Sequence, residues 1–311
     1  LMQFSCMYNT ICGNNITEST YYGLYMHSSS HNDISANSIT QTKPVGVTGL
    51  YLGGGQFNII HENNITNNYA DGIEIFSSDN NTFYGNTIKS NADSGIFITG
   101  SSNNTFYHNN IINNPVAVVS PSTYINFWNS SYPSGGNYWS GYTGVDIYSG
   151  INQNETGSDG IGDSAYTIGG NNTDYYPLMG PFSNFSISYQ EETYYIATSC
   201  NSTISDFQFD EAAKTVSFNV TGEDGTTGFC RVIIPNTIIE DLWQGNPTIL
   251  VNGAPVEYRN WTDGTNTYLY FTYSHSEHEV IIVPELPSFI ILPIFMLTTL
   301  IALALYRKRK F

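Results

Sequence analysis

The stretch Asn80-Asn81-Thr82-Phe83-Tyr84-Gly85-Asn86-Thr87-Ile88-Lys89 returns 23 residues later as Asn103-Asn104-Thr105-Phe106-Tyr107-His108-Asn109-Asn110-Ile111-Ile112. Extended in the N-terminal direction, the pattern aligns Asn9, Asn32, Asn58, Asn81 and Asn104, separated by 23, 26, 23 and 23 residues. Five positions after each stands a second Asn: Asn14, Asn37, Asn63, Asn86 and Asn109. Seven positions after each stands an Ile: Ile16, Ile39, Ile65, Ile88 and Ile111. Two positions after each comes Ile11, Ile34, Ile60, Phe83 or Phe106, and the one irregularity is three extra residues near Lys43–Val47. Four columns agreeing in five rows mark a true internal repeat.

A unit of about 23 residues is too short for a pair of helices, and it carries no leucine-rich pattern. Each unit holds three short runs of alternating apolar and polar residues, broken by Asn, Gly and Ser, as in Phe83-Tyr84, Thr87-Ile88-Lys89 and Gly95-Ile96-Phe97-Ile98. One turn of a three-sided coil needs about that many residues, and stacked turns pair each strand with its copy about 4.8 Å away. The aligned Ile and Phe residues are then expected to form internal ladders. The Asn columns are expected at corners, where Asn tolerates left-handed backbone and its amide can bond the next Asn. Their constancy specifies the coil and not a reaction.

These segments, G-N-T-I and N-N-T-F-Y among them, resemble the repeats of the NosD-like family. The resemblance extends to about residue 183, through Gly136-Asn137-Tyr138-Trp139-Ser140, Asp159-Gly160-Ile161-Gly162-Asp163 and Tyr175-Tyr176-Pro177-Leu178-Met179. It implies a right-handed parallel β-helix. Related β-helices include polysaccharide lyases and hydrolases, surface adhesins and a copper-enzyme maturation factor.

The charge bounds the partners. Nine basic residues face 26 acidic ones, and four of the nine (Arg307, Lys308, Arg309, Lys310) crowd the C-terminus. Such a chain repels phosphates, so nucleic acid is excluded as a partner. Eleven N-x-S/T triplets, headed by Asn15, Asn64, Asn80, Asn103, Asn129, Asn154, Asn171, Asn184, Asn201, Asn219 and Asn260, suit an exported glycoprotein. Cys200 and Cys230 can pair in an oxidising compartment, with buried free thiols as the alternative; Cys6 and Cys12 lie in the repeats. The chain opens at Leu1 in mid-repeat, which reads as a fragment whose export signal and earlier rungs lie upstream.

The expected organisation is an all-β chain: β-helix repeats over 1–125, an aromatic and Gly-rich cap over 126–185, a β-sandwich over 186–283, a transmembrane helix over 286–306 and a basic cytoplasmic tail over 307–311. Beyond Pro121 the period is lost, and Trp128, Tyr132, Tyr138, Trp139 and Tyr142 are placed over the last rung, whose open strand edges need cover. Asp159 and Asp163, with Asn154 and the Ile161 carbonyl, are candidate ligands for Ca²⁺, against a plain Asp/Gly turn. His275-Ser276-Glu277-His278-Glu279 reads either as a metal site or as a solvated segment at the start of a strand. No charge interrupts residues 286–306, and the basic cluster follows at once, so the ectodomain is expected outside a single-pass membrane anchor. The lead-in Pro284-Glu285-Leu286-Pro287-Ser288, the apolar run and the basic end also resemble archaeal PEF-type sorting signals, which carry Phe where Leu286 stands.

For function, the repeats offer Lys43 and Lys89 as their only bases, too few for lyase chemistry, and the His and Met residues share no column that would handle copper. Asp71 and Asp93 occupy consecutive rungs beside Glu74, but both precede turn-type residues, where Asp is routine. No catalytic residue is assigned. Tyr84 and Tyr107 share one outward column; Tyr25, Tyr51 and Phe97 share another, broken by Glu74. Such rows suit sugar rings stacking on aromatic faces, while shielding of sheet edges is the competing reading. The expectation is a surface protein that is structural or adhesive and binds glycans or envelope partners. The alternative is a carbohydrate-active enzyme with catalytic rungs upstream.

Overall fold

The computed structural model describes residues 1–43 and 46–285. Residues 1–119 wind into a parallel β-helix of about five turns with three flanks. The first flank stacks Met2–Phe4, Leu24–His27, Leu50–Gly53, Ile73–Phe76, Ser94–Thr99 and Val116–Val119. The second stacks Thr10–Cys12, Asp33–Ser35, Ile59–His61, Thr82–Tyr84 and Thr105–Tyr107. The third stacks Asn15–Thr17, Ser38–Thr40, Asn64–Thr66, Thr87–Lys89, Asn110–Ile112 and Tyr138–Trp139. Register follows the sequence columns: Ile39, Ile65, Ile88 and Ile111 align on the third flank, and Ile34, Ile60, Phe83 and Phe106 on the second. All eight are buried, each contributing roughly 1.5–3 kcal/mol of apolar transfer. Thr42 bonds to Asn68, 26 positions on, whereas Gly46 bonds to Tyr69, 23 on. The three extra residues therefore fall between them, partly on positions 44 and 45, which lie outside the described residues.

The corners differ from expectation in one position. Left-handed φ falls on the residue before each column residue: Ser77, Asn80, Gly85 and Ser90 in one turn, Gly100, Asn103, His108 and Asn113 in the next. The column residue itself turns inward. Each column Asn donates its amide N–H₂ to the Oδ1 of the next turn's Asn, and that oxygen also takes the backbone N–H, as Asn81 does with Asn104 at 3.0 and 2.9 Å. Two further corner ladders appear that the columns above do not include: Asn68–Asn91–Asn114 and Ser78–Ser101. The glycines Gly49, Gly72 and Gly95 are not turn residues. A Cβ on Gly72 would lie 2.7 Å from the Gly95 carbonyl and 2.8 Å from Ile88 Cγ2, so close packing demands glycine there.

Beyond Pro121 the sequence period disappears, but the ladders do not. Asn104 bonds onward to Asn126, and Asn109 to Asn137. Ile111 aligns with Trp139, and Phe106 stacks on Trp128 at 4.3 Å. Both ladders end on one short strand, Asn172–Asp174. Asn172 Oδ1 accepts the Asn126 N–H (2.9 Å) and the Trp128 indole N–H (3.0 Å). Asp174 Oδ2 accepts the Asn137 N–H and the Trp139 indole N–H, both at 2.8 Å. A carboxylate has acceptors only, so it can close a chain of amides without leaving an unpaired donor beyond the last turn. Gly136 explains the G-N-Y-W segment: a Cβ there would collide with the Asp174 carboxylate. Trp128 and Trp139 are thus interior, while Tyr132 and Tyr138 pack instead with Ile161, Leu178 and Phe182 beneath the next unit.

Residues 182–284 form the β-sandwich, whose first strand, Phe182–Tyr189, starts slightly earlier than expected. One antiparallel sheet runs Phe182–Tyr189, Glu192–Cys200, Thr227–Pro235, Asn266–Ser274, Arg259–Thr262; the other runs Thr203–Asp210, Thr215–Thr221, Glu277–Pro284, Pro247–Val251, Ala254–Val256. A helix, Asn236–Trp243, was not foreseen; Ile238, Ile239, Leu242 and Trp243 turn its apolar face into the sandwich core. Cys200 and Cys230 face each other on neighbouring strands and form a disulfide, while Cys6 and Cys12 are free. Among the described residues no helix is long and apolar enough to cross a membrane. The expected anchor, 286–306, the basic tail and the segment that resembles a sorting signal from Leu286 onward lie outside the described residues.

The sandwich sits against the β-helix and its cap. Asn110 acts as a surrogate strand residue, accepting the Phe182 N–H at 2.7 Å and donating to its carbonyl at 2.8 Å. Two of the five basic residues ahead of the C-terminal cluster clamp the cap. Arg231, fully buried, bonds to the carbonyls of Pro133 and Ser134 and lies 4.6 Å over the Tyr268 ring. Arg259 bonds to the Ser158 carbonyl and to Ser149 Oγ. Arg231→Met should cost about 3 kcal/mol, because it strands two carbonyls and removes the cation facing the buried Asp159. The check is limited proteolysis, with faster cleavage in the 130–160 segment; an unchanged cleavage pattern would contradict the clamp.

Candidate functional site

The two aromatic columns fare differently. On the second flank, Tyr84 stacks between His61 (4.7 Å, 10° between planes) and Tyr107 (5.4 Å, 12°). These rings do point away from the interior, but the sandwich lies opposite. Together with Glu62, His108, Phe182, Asn184 and Tyr195 they line a cleft of about 260 Å³ between the two units. Glu62 Oε1 accepts the Asn184 amide at 2.6 Å, tying the units across it. His61 Nε2 lies 3.3 Å from Asp33 Oδ1. Burial pushes the Tyr84 hydroxyl up to about 12, so it stays a neutral donor, and burial lowers His108 to about 4. The neutral His108 donates from Nε2 to the Ser134 carbonyl at 3.0 Å. This column therefore faces the sandwich across the cleft, and the contacts that join the units beside it come from Glu62, His108 and Asn110.

The first-flank column stays open. Tyr25, Tyr51, Glu74 and Phe97 align rung by rung, all half-buried. Tyr25 and Tyr51 stack with centroids 4.9 Å apart and planes within 5°. Rings this close present overlapping faces to each other and edges to solvent. A sugar consequently cannot lie along the row as flat-ring stacking implies, because the faces are already used. Tyr22 packs at a tilt against both, 5.1 and 5.0 Å away. The row then stops: Glu74 replaces the next ring, and the upper face of Tyr51 has no aromatic neighbour from that rung.

Carboxylates gather at this break. Glu74 Oε2 accepts a long bond from Thr48 Oγ1 (3.4 Å), and Asp71 accepts the Ser94 N–H at 3.0 Å and the Ser94 hydroxyl. Burial holds both carboxyls above their usual range; the neighbouring charge of Asp93 adds to the shift of Asp71, and that of Asp71 to the shift of Glu74. Burial, together with the Glu74 charge, raises the hydroxyls of Tyr22 and Tyr51. The arrangement supplies acceptors and phenol donors around an unfilled ring position, which is the composition of a site for polyhydroxylated rings. Sequence reading found the column and the interruption; Tyr22 was missed because it belongs to the loop and not to the strand repeat.

The other candidates are placed as follows. Asp159 is buried, with Oδ1 accepting the Ile161 N–H and Oδ2 the Gln153 amide. The Asp163 carboxylate accepts the N–H groups of Ile147 and Tyr148, and Asn154 is exposed. Asp146, absent from the expected set, accepts the N–H groups of Asp159 and Gly160; burial pushes it up to about 7. Of the oxygens expected to converge on Ca²⁺, Asp159 Oδ1 and the Asp163 carboxylate are engaged by backbone amides of the loop. Among the described residues no group of three or more His, Cys, Asp or Glu is gathered to hold a metal ion. His275 is buried between Ser202 Oγ (2.9 Å from Nε2) and Thr226 Oγ1, while His278 is paired with Asn252 and the Ser274 carbonyl. Of the triplet asparagines, Asn129, Asn184 and Asn219 are half-buried and the remaining eight are exposed.

Residues 5–144 match the family model described as "Periplasmic copper-binding protein (NosD)", and the repeats are a NosD-like parallel β-helix. Two solved structures of variants of the periplasmic alginate epimerase AlgG align at 24% and 21% identity. They cover 38% and 42% of this chain and 34% and 36% of their own, each with a TM-score of 0.31. The Dettilon tailspike protein aligns at 13% identity over 88% of this chain and 55% of its own, with a TM-score of 0.33. The chain thus spans about a third of the length of the epimerase structures. No curated protein matches the sequence. Copper, which the family description carries, calls for converging soft donors. The described histidines are dispersed, His108, His275 and His278 with ring nitrogens engaged by protein partners, so these residues do not fit a copper centre.

Proposed function

We propose that this chain is a glycan-recognising protein of the cell surface, in which the β-helix is a rigid column and its first flank is the sugar-contacting face. The observation that carries the reading is the interrupted stack Tyr25–Tyr51–Glu74–Phe97, half-exposed and bordered by Tyr22 and Asp71. Anchoring through residues 286–306, with the ectodomain outside, belongs to the same proposal and rests on the apolar run and its basic end. A periplasmic family description for the repeats is compatible with an exported setting.

The test is a broad glycan panel probed with the purified chain and with Tyr51→Ala. Binding is expected, and the variant should weaken it at least about tenfold, the scale of losing one stacked ring plus its hydroxyl. Binding that is indifferent to Tyr51 would move the site elsewhere; no binding across the panel would remove the proposal. A second reading, glycan cleavage, draws on the two neighbouring carboxyls held above their usual range. Product formation from any bound glycan, abolished by Glu74→Gln, would establish it.

A further inference from the structure

The turn between the strands Glu192–Cys200 and Thr203–Asp210 sets the half-buried Ser202 against a buried histidine. Ser202 Oγ lies 2.9 Å from His275 Nε2 and 2.7 Å from the Tyr273 hydroxyl. The other ring nitrogen, Nδ1, meets Thr226 Oγ1. That hydroxyl has a single hydrogen, and it is donated to the Glu223 carbonyl at 2.7 Å. Thr226 is left only to accept, so in the neutral imidazole the proton stands on Nδ1 and Nε2 keeps its lone pair. Ser202 then donates to Nε2, and Tyr273 donates to Ser202.

The surroundings hold these groups in place. A Cβ on Gly222 would collide with the His275 ring and one on Gly228 with Tyr273, so both rings fill space that only glycine leaves. The His275 backbone N–H donates to the Thr226 carbonyl at 2.9 Å. Beside Ser202, Asn201 accepts the Phe229 N–H at 2.8 Å and donates to the Thr227 carbonyl at 3.0 Å, and Cys200 is disulfide-bonded to Cys230. Ser202 also lines a cavity of about 440 Å³, whose walls include Tyr138, Met179, Pro181 and Ile204 and, among the described residues, no charged side chain. That volume lies within the roughly 300–1,000 Å³ of small-molecule pockets. A serine donating to a histidine that a third group orients is the arrangement of nucleophilic acyl transfer.

We propose that Ser202 is an activated nucleophile, with His275 as its base, that hydrolyses small uncharged acyl esters in this cavity. As Ser202 Oγ bonds to the ester carbonyl carbon, its proton passes to His275 Nε2; the imidazolium hands that proton to the departing alkoxide as the ester C–O bond breaks. Water repeats the sequence on the acyl-serine, losing a proton to Nε2 and releasing the carboxylic acid as the Ser202 oxygen regains one. Ester and water become acid and alcohol. Burial pushes the Tyr273 hydroxyl up to about 12, so it stays a donor beside the oxyanion that forms next to Oγ. Thr226 is a positioning residue that fixes the tautomer. The proposal is independent of the glycan reading of the first flank.

The experiment treats the purified chain with an alkyl fluorophosphonate, maps the adduct by peptide mass spectrometry, and follows hydrolysis of 4-nitrophenyl acetate in parallel. The adduct is expected on Ser202, and Ser202→Ala should lose both adduct and turnover. His275→Gln should slow labelling at least about 100-fold. Should that variant fail to fold, Thr226→Val keeps the side-chain shape and should slow labelling about tenfold, the scale of one lost hydrogen bond, with Thr226→Ser restoring it. Tyr273→Phe should lower ester turnover about 100-fold. A folded native chain without an adduct on Ser202, labelling without ester turnover, or labelling that keeps its rate in folded Thr226→Val would overturn the proposal.

Discussion

Replacing Asn86 by alanine is expected to destabilise the β-helix by about 4 kcal/mol, although it removes no apolar surface. Asn86 is fully buried, and its Oδ1 accepts both the backbone N–H and the amide of Asn63, each at 3.0 Å. Its own amide donates to the carbonyls of Ile60 (2.8 Å) and Tyr84 (3.2 Å) and to Asn109 Oδ1 (2.9 Å). Alanine strands donors on one side and acceptors on the other, each costing roughly 1–3 kcal/mol when water cannot replace the partner. Some of that is recovered as water enters the space, hence a total well below the sum. Asn64→Ala, at an exposed position one residue past a ladder Asn, should stay within about 0.5 kcal/mol of the native chain. Denaturant unfolding of the two variants decides the matter: equal midpoints would mean the ladder contributes nothing beyond asparagine content.

The second large effect is a dependence of stability on pH that originates at the end of the same ladder. Burial raises the Asp174 carboxyl to about 7, against the amide and indole donors that favour its charged form. Because the folded value exceeds the unfolded one, the native state holds a proton that the unfolded chain has released. The associated stabilisation is complete below about pH 4 and is lost as pH rises through about 7. A shift of about three units corresponds to at most about 4 kcal/mol. Asp146, raised to about 7 for the same reason, acts in the same direction and window. The melting temperature is therefore expected to fall between about pH 4 and 7 and to level off above, and Asp174→Asn should flatten that slope. The same variant should lower stability at about pH 8, where the native group is a carboxylate that accepts from every donor around it and an amide N–H₂ would have to face one of them. A slope of opposite sign, or one unchanged in the variant, would refute the assignment.

How far the sequence could be read depended on whether a constraint recurs. The interior columns were legible because every turn faces the same neighbours above and below, so one solution is written five times over: Ile39, Ile65, Ile88 and Ile111 stack as spaced. The corner ladders were legible for the same reason, but the left-handed residue was assigned one place too late. A column of Asn identifies the side chain that the fold needs, whereas the preceding left-handed position is filled by residues as different as Ser, Gly, Asn, His, Ala, Tyr, Phe and Glu. The cap left no periodic trace. Asn126 is bonded to Asn172, 46 residues on, and Asn137 to Asp174, 37 residues on, pairings that occur once and so cannot announce themselves by repetition. In the sandwich, the clearly alternating strands were found, while the helix Asn236–Trp243 was hidden inside an apolar run that continues a strand.

The candidate site divides in the same way. Sequence alone determined that Tyr25, Tyr51 and Phe97 share an outward column and that Glu74 interrupts it, because strand parity and a 23-residue period fix which side chains align. It determined equally that Tyr84 and Tyr107 align on another flank. Only the tertiary structure decided that the second column faces the sandwich across a cleft while the first does not line it, since that depends on where Asn110, Glu62 and Arg231 dock a unit encoded elsewhere in the chain. It also decided that the tyrosine rings face one another along the column: ring orientation follows from the contact distance between neighbouring turns, a quantity that no spacing in the sequence contains.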